Sequence, residues 1–374
     1  MSWNQIVGHR SAYERFERSL VRHRLANTYL FVGPDGVGKR TFALKLAEAL
    51  LCENGDREDL LEPCGSCPGC LQVRNQSHPD LILIRKPVDK SILPVELFIG
   101  RKEHRRKEGL VYEIGMKPFR GGYRIAIIED ADFFNQESAN SLLKTLEEPP
   151  PKSLLILLGT SEARQLQTIV SRSQLVRFSK LTVAELETVL SRPEVQEEQQ
   201  IPEDTSISQL ALMAQGSVSR AVQLSDPEVL EFRELLYSRL ATGDPHAQQF
   251  TKVVTAFAES GGKEGYRKRP RMKLVADFAI EFFREVGRLL AGLDSDCPDE
   301  TLMVFARQFA EPFMVDPLDG AQRVGRCIER TSDMQLHVAG NVGFPNLLDS
   351  WLIDLGRLGR GEHVTTGQSL AGIV

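Results

Sequence analysis

Three groups of residues in this 374-residue chain have types and spacing that could do chemistry. The first is Gly33-Pro34-Asp35-Gly36-Val37-Gly38-Lys39, a G-x-x-x-x-G-K run. Glycines let successive backbone N–H groups turn inward around an anion, and a helix starting just after them adds positive potential. Gly33, Gly36 and Gly38 would shape the cradle, and Lys39 would reach the outer phosphates of a nucleotide. The next residue should be Ser or Thr, whose hydroxyl holds Mg²⁺. Here it is Arg40, and Thr41 comes one place late. One step along a helix rotates a side chain by about 100°, so Thr41 is not a clean replacement. The carboxylate pair Glu129-Asp130 ends a separate apolar run, Ile125–Ile128. The bland alternative is a Gly-rich turn with a solvated lysine.

The second group is Cys52 with Cys64, Cys67 and Cys70. Two overlapping C-x-x-C pairs and one more thiolate make a closed tetrahedral Cys₄ zinc site. Gly65, Pro68 and Gly69 allow turns tight enough to aim several sulfurs at one metal. Four sulfurs leave no open position, so the metal would be structural. The competing readings are disulfides, disfavoured in a reducing cytosol, and a redox pair. Cys297 and Cys327 stand alone and read as small core hydrophobes. The third group is Ser171-Arg172-Ser173. From the residues alone, Arg172 is an isolated arginine before a further short strand, and the bland reading is a salt-bridged surface arginine.

These side chains need a scaffold that positions them. Thr28–Val32, Ile125–Ile128 and Leu154–Leu158 have the length and branching of buried parallel strands, and Gln174–Phe178 is a further short strand. Helices are expected from about Arg40 to Leu51 and from Ser138 to Glu148, the latter stopped by Pro149-Pro150-Pro151. The order is strand, phosphate loop and helix, then a strand ending in acids, a helix, a strand ending in Thr160, and the arginine. It predicts an α/β nucleotide-binding core over 1–180, with the zinc module at 52–70.

Thr182-Val183-Ala184-Glu185 is a capping box opening a small helical domain over 181–225. Long helical patterns fill 226–358. The clearest is Met272–Leu290, with Arg267-Lys268-Arg269-Pro270-Arg271 as a basic loop before it. The polar, Gly-rich stretch 359–374 reads as a loose tail. The charge run Arg101-Lys102-Glu103-His104-Arg105-Arg106-Lys107 is either a solvated helix face or a contact for a DNA backbone or partner.

Composition sets outer limits. With 41% hydrophobic residues the chain can bury sizeable cores, and a net charge of −5 argues against general coating of nucleic acid. No apolar run approaches a membrane span. The N-terminus lacks a basic-then-apolar signal. A cytoplasmic protein with no membrane partner is expected.

Together these motifs resemble the clamp-loader subunits of bacterial DNA polymerase III, in the AAA+ ATPase superfamily. The likeness rests on Ile6-Val7-Gly8-His9, Arg24-Leu25, the phosphate loop, the cysteine insertion and His78-Pro79-Asp80. It continues through Ala139-Asn140-Ser141-Leu142-Leu143-Lys144-Thr145-Leu146-Glu147-Glu148-Pro149 and Thr168-Ile169-Val170-Ser171-Arg172. Further along, only Asn341 and the Leu-rich helix after it match. The resemblance implies an α/β P-loop AAA+ core with parallel sheet and Cys₄ insertion, a helical lid and an all-α collar. It implies a heteropentameric ring with delta and tau/gamma partners, which opens the sliding clamp and places it on primed DNA.

In that family a Ser-Arg-Cys motif presents its arginine to ATP on the neighbouring subunit. Here Arg172 keeps that position and Ser173 replaces the cysteine. Thr160 matches a phosphate-sensing position, and Arg220 lies one residue beyond the family's second sensing arginine. The tau/gamma branch has Lys followed by Ser or Thr, and an Asp-Glu pair. This chain has Arg40 and the reversed order Glu129-Asp130, which is similar to the delta-prime branch. The expected cofactors are structural Zn²⁺ and weakly held ATP/Mg²⁺, with little or no turnover by the chain alone. The alternatives are an autonomous tau/gamma-type motor and an AAA+ DNA repair or recombination protein with no clamp partner.

Overall fold

The computed structural model describes residues 3–54, 61–105, 107–120, 122–245, 248–262, 265–293, 297–339, 344–362 and 364. Arg106 of the basic run, residues 55–60 of the cysteine module, Asn341, and positions 363 and 365–374 of the expected tail lie outside the described residues. The chain divides into two compact units, Met1–Gln223 and Leu224–Val374.

The first unit is built on five parallel strands: β1 (Thr28–Val32), β2 (Leu81–Ile84), β3 (Arg124–Ile128), β4 (Ser153–Gly159) and β5 (Gln174–Arg177). Their order is β2-β3-β4-β1-β5. Phe31 lies opposite Leu158 on one side and Val176 on the other, and Ile127 lies between Ile156 and Leu83. β1, β3 and β4 are buried at every residue, which is why they read as unbroken apolar runs rather than alternating ones. The alternation of a strand divides the core in two. Tyr29 and Phe31 pack with Phe16 of α1 (Arg10–Val21) and Phe42 of α2 (Lys39–Leu50). Leu30 and Val32 share the other cluster with Phe98, Leu142 and Leu146.

Between α2 and β2 lies α3 (Pro68–Arg74). α4 (Glu96–Ile99), α5 (Leu110–Ile114), α6 (Gln136–Glu147) and α7 (Gln167–Val170) supply the second face. β2 is the strand not anticipated from sequence. Its four residues sit at the sheet edge, and the last two are only half-buried.

All strands point the same way, so the connections have a fixed geography. The phosphate loop follows β1, Glu129 follows β3 and Thr160 follows β4, placing them along the edge formed by the C-terminal ends of the strands. Arg172 precedes β5 and α6 ends before β4, so Arg172 and Glu147 belong to the opposite edge. A five-residue strand such as β1 spans about 16 Å.

The unit continues with α8 (Val183–Leu190), α9 (Pro193–Gln199) and α10 (Ile207–Met213), and α11 (Val218–Leu224) carries the chain onward. The capping box at α8 is present. Thr182 Oγ1 accepts from the Glu185 N–H at 3.3 Å, and Glu185 Oε2 accepts from the Thr182 N–H at 2.8 Å. Near the start of the chain, Trp3 is buried edge-on against Tyr13 and Phe42, and its indole N–H donates to the Leu61 carbonyl at 2.5 Å.

The described residues of the second unit are helical: α12 (Pro227–Leu240), α13 (Gln248–Ser260), α14 (Gly265–Leu290), α15 (Glu300–Ala310), α16 (Pro317–Ala339) and α17 (Phe344–Gly359). α14 is the hub, packing on α12, α13, α15 and α16. Tyr237, Phe278, Phe282 and Trp351 are fully buried, and the Trp351 indole donates to Thr331 Oγ1 at 3.1 Å.

One expectation is corrected here. Residues 267–271 are not a loop but lie inside α14, which contains Pro270. Pro270 is the sixth residue of the helix, past the first turn, so it forfeits the backbone donor that would bond four residues back and this turn carries one hydrogen bond fewer. Two of the charges are engaged: Lys268 pairs with Glu259 at 2.7 Å, and Arg271 lies over the Phe257 ring and pairs with Asp226 at 2.9 Å. The patterning misled because basic residues and a proline resemble a linker when the acids that hold them are distant in sequence. Cys327 is buried and Cys297 half-buried, and burial pushes their thiols up to about 12 and about 11. Among the described residues no helix is long and apolar enough to cross a membrane.

Candidate functional site

The phosphate loop has the backbone its glycines predict. Gly36 and Gly38 take φ of 74° and 100°, a region that disfavours any residue with a Cβ. Gly33 is needed for closeness: a Cβ there would lie 2.3 Å from the Phe178 carbonyl oxygen. Gly38 leads directly into α2. Lys39 is buried and folds back on the loop, its Nζ donating to the Gly33 and Pro34 carbonyls at 2.6 and 2.7 Å. The loop is also held from Gly216-Ser217-Val218. Ser217 Oγ donates to the Asp35 carbonyl at 2.7 Å, and the Val218 N–H donates to the Gly36 carbonyl at 2.9 Å. His9 closes a third side, its Nε2 lying 2.5 Å from the Val37 carbonyl oxygen and its ring edge-on to Phe178. Burial holds the His9 imidazole below its ordinary pKa.

The magnesium side does not fit a metal. Arg40 Nε donates to Glu129 Oε1 at 2.8 Å, and an Arg85 terminal nitrogen lies 3.0 Å from Glu129 Oε2. Both oxygens of the mostly buried carboxylate are therefore taken by guanidinium groups. Thr41 is exposed. Asp130 has a left-handed backbone, with φ of 59°, and one carboxylate oxygen accepts from the Lys86 N–H at 3.3 Å. Burial raises its carboxyl above the usual range, with Lys86 opposing. The Thr160 hydroxyl donates to Asp132 Oδ2 at 2.5 Å, and its N–H also donates to that carboxylate. Asp132 and Arg85 were not among the residues expected at the site. Asp132 is separated in sequence from Thr160, and Arg85 follows the strand that went unread.

At the other edge, Arg172 follows α7. Its Nε and one terminal nitrogen meet Glu147 Oε1 at 2.8 and 2.6 Å. The second terminal nitrogen donates to the Thr168 carbonyl at 3.2 Å and Ser171 Oγ at 3.1 Å. The guanidinium thus sits on the C-terminal residue of α6 with 31% of its side chain exposed. Arg220 donates from Nε to the Met213 carbonyl at 3.4 Å.

The four cysteines converge, with their sulfurs all within 4.8 Å of one another. Four thiolates around zinc at about 2.3 Å imply neighbouring sulfurs about 3.8 Å apart. Cys52–Cys64, Cys52–Cys67 and Cys64–Cys70 are separated by 3.6, 3.9 and 4.0 Å. A disulfide would require about 2.0 Å. Backbone N–H groups of Cys64, Cys67 and Cys70 approach the sulfurs of Cys52, Cys64 and Cys67 at 3.4–3.5 Å, the polarity a thiolate needs. Such hydrogen bonds, first from Ser66 and then Cys67, bring the Cys64 thiol down to about 6, while burial pushes Cys70 up. Cys67 also caps α3, and Pro68 begins that helix. The donor set fits a structural zinc ion.

The strand order, the loop after β1 and the acid after β3 define a P-loop α/β core. The family described as DNA polymerase III, delta subunit, matches residues 8–182. DNA polymerase III subunit delta' of Bacillus subtilis (strain 168) is 29% identical over 278 residues, covering 74% of this chain and 71% of that protein. Subunit delta' of Pseudomonas aeruginosa is 32% identical over 151 residues, or 40% and 42% of the two chains. Subunit tau of Escherichia coli (strain K12) is 30% identical over 264 residues, 69% of this chain but 38% of tau. Over residues 8–182 the chain is similar to the DNA polymerase III delta-subunit family, and over a longer span to the delta' subunit of Bacillus subtilis and the tau subunit of Escherichia coli.

Proposed function

We propose that the chain is the delta-prime-type member of a heteropentameric clamp loader with delta and tau/gamma partners. In this reading it supports ATP-dependent loading of the sliding clamp onto primed DNA and lends Arg172 to the ATP site of a neighbouring subunit. The observation that carries this reading is the placement of Arg172 at the sheet edge opposite the chain's own phosphate loop. An arginine there cannot serve its own loop and is suited to serve another subunit's. Arg40 and Arg85 on Glu129 support the complementary half, that the chain alone turns over little or no ATP. The likeness to tau subunits favours the autonomous-motor reading, but Arg40 stands where that chemistry needs a magnesium-binding hydroxyl.

The test is ATP turnover by the isolated chain and by the reconstituted complex with primed DNA and clamp. Negligible turnover alone, and loss of stimulated turnover with Arg172→Ala, is the expected pair of results. Turnover alone at a motor's rate would sink the proposal. We further propose that Cys52, Cys64, Cys67 and Cys70 hold one structural Zn²⁺, so protein purified without chelator should contain about one zinc per chain. Cys67→Ser should lose the metal and expose Trp3 through its contact with Leu61, read as a red-shifted tryptophan emission.

A further inference from the structure

We propose that Glu147 is the positioning residue for Arg172, an inference that rests on the reading of Arg172 as a finger acting in trans. A guanidinium has five N–H donors in a rigid fork. The contacts to Glu147, Thr168 and Ser171 engage four of them. One hydrogen on the terminal nitrogen facing Glu147 has no partner among the described residues. The side chain is therefore held by three residues and keeps one donor available for a further acceptor. Both elements that fix it arrive at this edge by topology: α6 runs back from β3, and α7 leads into β5.

The location of Glu147 argues that the pair serves function more than stability. It is the last residue of α6 and is followed by Glu148. A carboxylate there opposes the negative end of the helix dipole, and an exposed ion pair contributes little to folding. A local rule broken without gain in stability is expected where a site is being positioned. The role follows from the geometry. A finger that must meet a phosphate on another subunit loses rate if its long side chain samples many rotamers, and Glu147 removes that freedom beforehand.

The experiment uses the complex reconstituted with its cognate subunits, clamp and primed DNA. Glu147→Ala should lower kcat by about 10- to 100-fold, the scale of a small misplacement of a catalytic group, with KM for ATP and assembly unchanged. Glu147→Gln keeps an acceptor oxygen at the same reach and should restore at least half of the activity. In an Arg172→Ala background, Glu147→Ala should have no further effect. Wild-type activity of the Ala variant, an equal defect in the Gln variant, or an added loss in the Arg172→Ala background would each overturn the inference. If the Ala variant does not assemble, Glu147→Asp, one methylene shorter, should assemble and lower kcat; wild-type kcat there would overturn it too. Normal turnover with Arg172→Ala would instead remove the finger reading itself. A defect in Arg172→Ala with none in Glu147→Ala removes only the role of Glu147.

Discussion

Two arginine–glutamate pairs lie at opposite edges of one sheet, and burial separates their roles. At the phosphate-loop edge, Glu129 has 12% of its side chain exposed and is shared by Arg40 and Arg85. At the other edge, Glu147 is 51% exposed and holds Arg172 alone. The first arrangement is an internal cross-link. It joins α2 to the ends of β3 and β2 and removes the ligands that a magnesium ion would need. The second is half-exposed and contributes little to holding the fold together. The same two side-chain types thus form a mostly buried cross-link in one place and a half-exposed pair in the other.

The largest effect should come from breaking the half-exposed pair on its cationic side. If Arg172 acts in trans as proposed, Arg172→Ala should reduce turnover at the neighbouring ATP site by on the order of 10³-fold, measured as DNA-stimulated ATPase of the complex, with the melting temperature unchanged. Arg172→Lys should also fail largely, because a point ammonium does not reproduce the planar fork. Normal activity in the Ala variant would reduce the comparison to one of stability alone.

The next effect is on folding and reverses the order of the two edges. Glu129→Ala removes a mostly buried carboxylate that accepts from two guanidinium groups, themselves 39% and 67% exposed, and should cost roughly 1–2 kcal/mol. Glu147→Ala should cost less than about 1 kcal/mol, since its pair is exposed. Urea denaturation of both variants checks the contrast, and equal costs would break it. Combining Arg40→Thr, Glu129→Asp and Asp130→Glu restores the tau/gamma pattern at the phosphate-loop edge. That variant should bind nucleotide more tightly with Mg²⁺ than with EDTA, whereas the parent chain should bind weakly and respond little to either.

The smallest effect belongs to His9, which packs on the phosphate loop. Burial lowers its pKa in the fold, so below about pH 6.5 the unfolded chain takes up a proton that the folded chain resists. Stability therefore falls as pH drops through that value, and it is fully present above it. His9→Gln should flatten the dependence between about pH 5 and 7, followed as melting temperature. An unchanged slope would show that other groups control it.

The sheet was legible where burial on both faces wrote itself into the sequence. β1, β3 and β4 are uninterrupted apolar runs, while β2, half-exposed at the edge, is short and went unread. The convergence of the cysteines was legible because they lie close together in the sequence, with turn residues between them. The partners of the site residues were not, because they come from across the fold: Arg85 on Glu129, Asp132 on Thr160, Glu147 on Arg172. The basic stretch at 267–271 shows the same limit from the other side. Its acids, Asp226 and Glu259, come from the region preceding α13 and from α13 itself, and only folding brings them to α14.

The two tryptophans of the chain give it a built-in optical readout. Trp3 reports on the sheet-bearing unit and Trp351 on the helical one, and each indole is buried with its N–H engaged. Replacing one at a time with phenylalanine would leave a single emitter per unit. Emission followed through a thermal ramp would then tell whether the halves of the subunit melt in one cooperative step or two. Addition of chelator should move the emission of Trp3 and leave that of Trp351 in place.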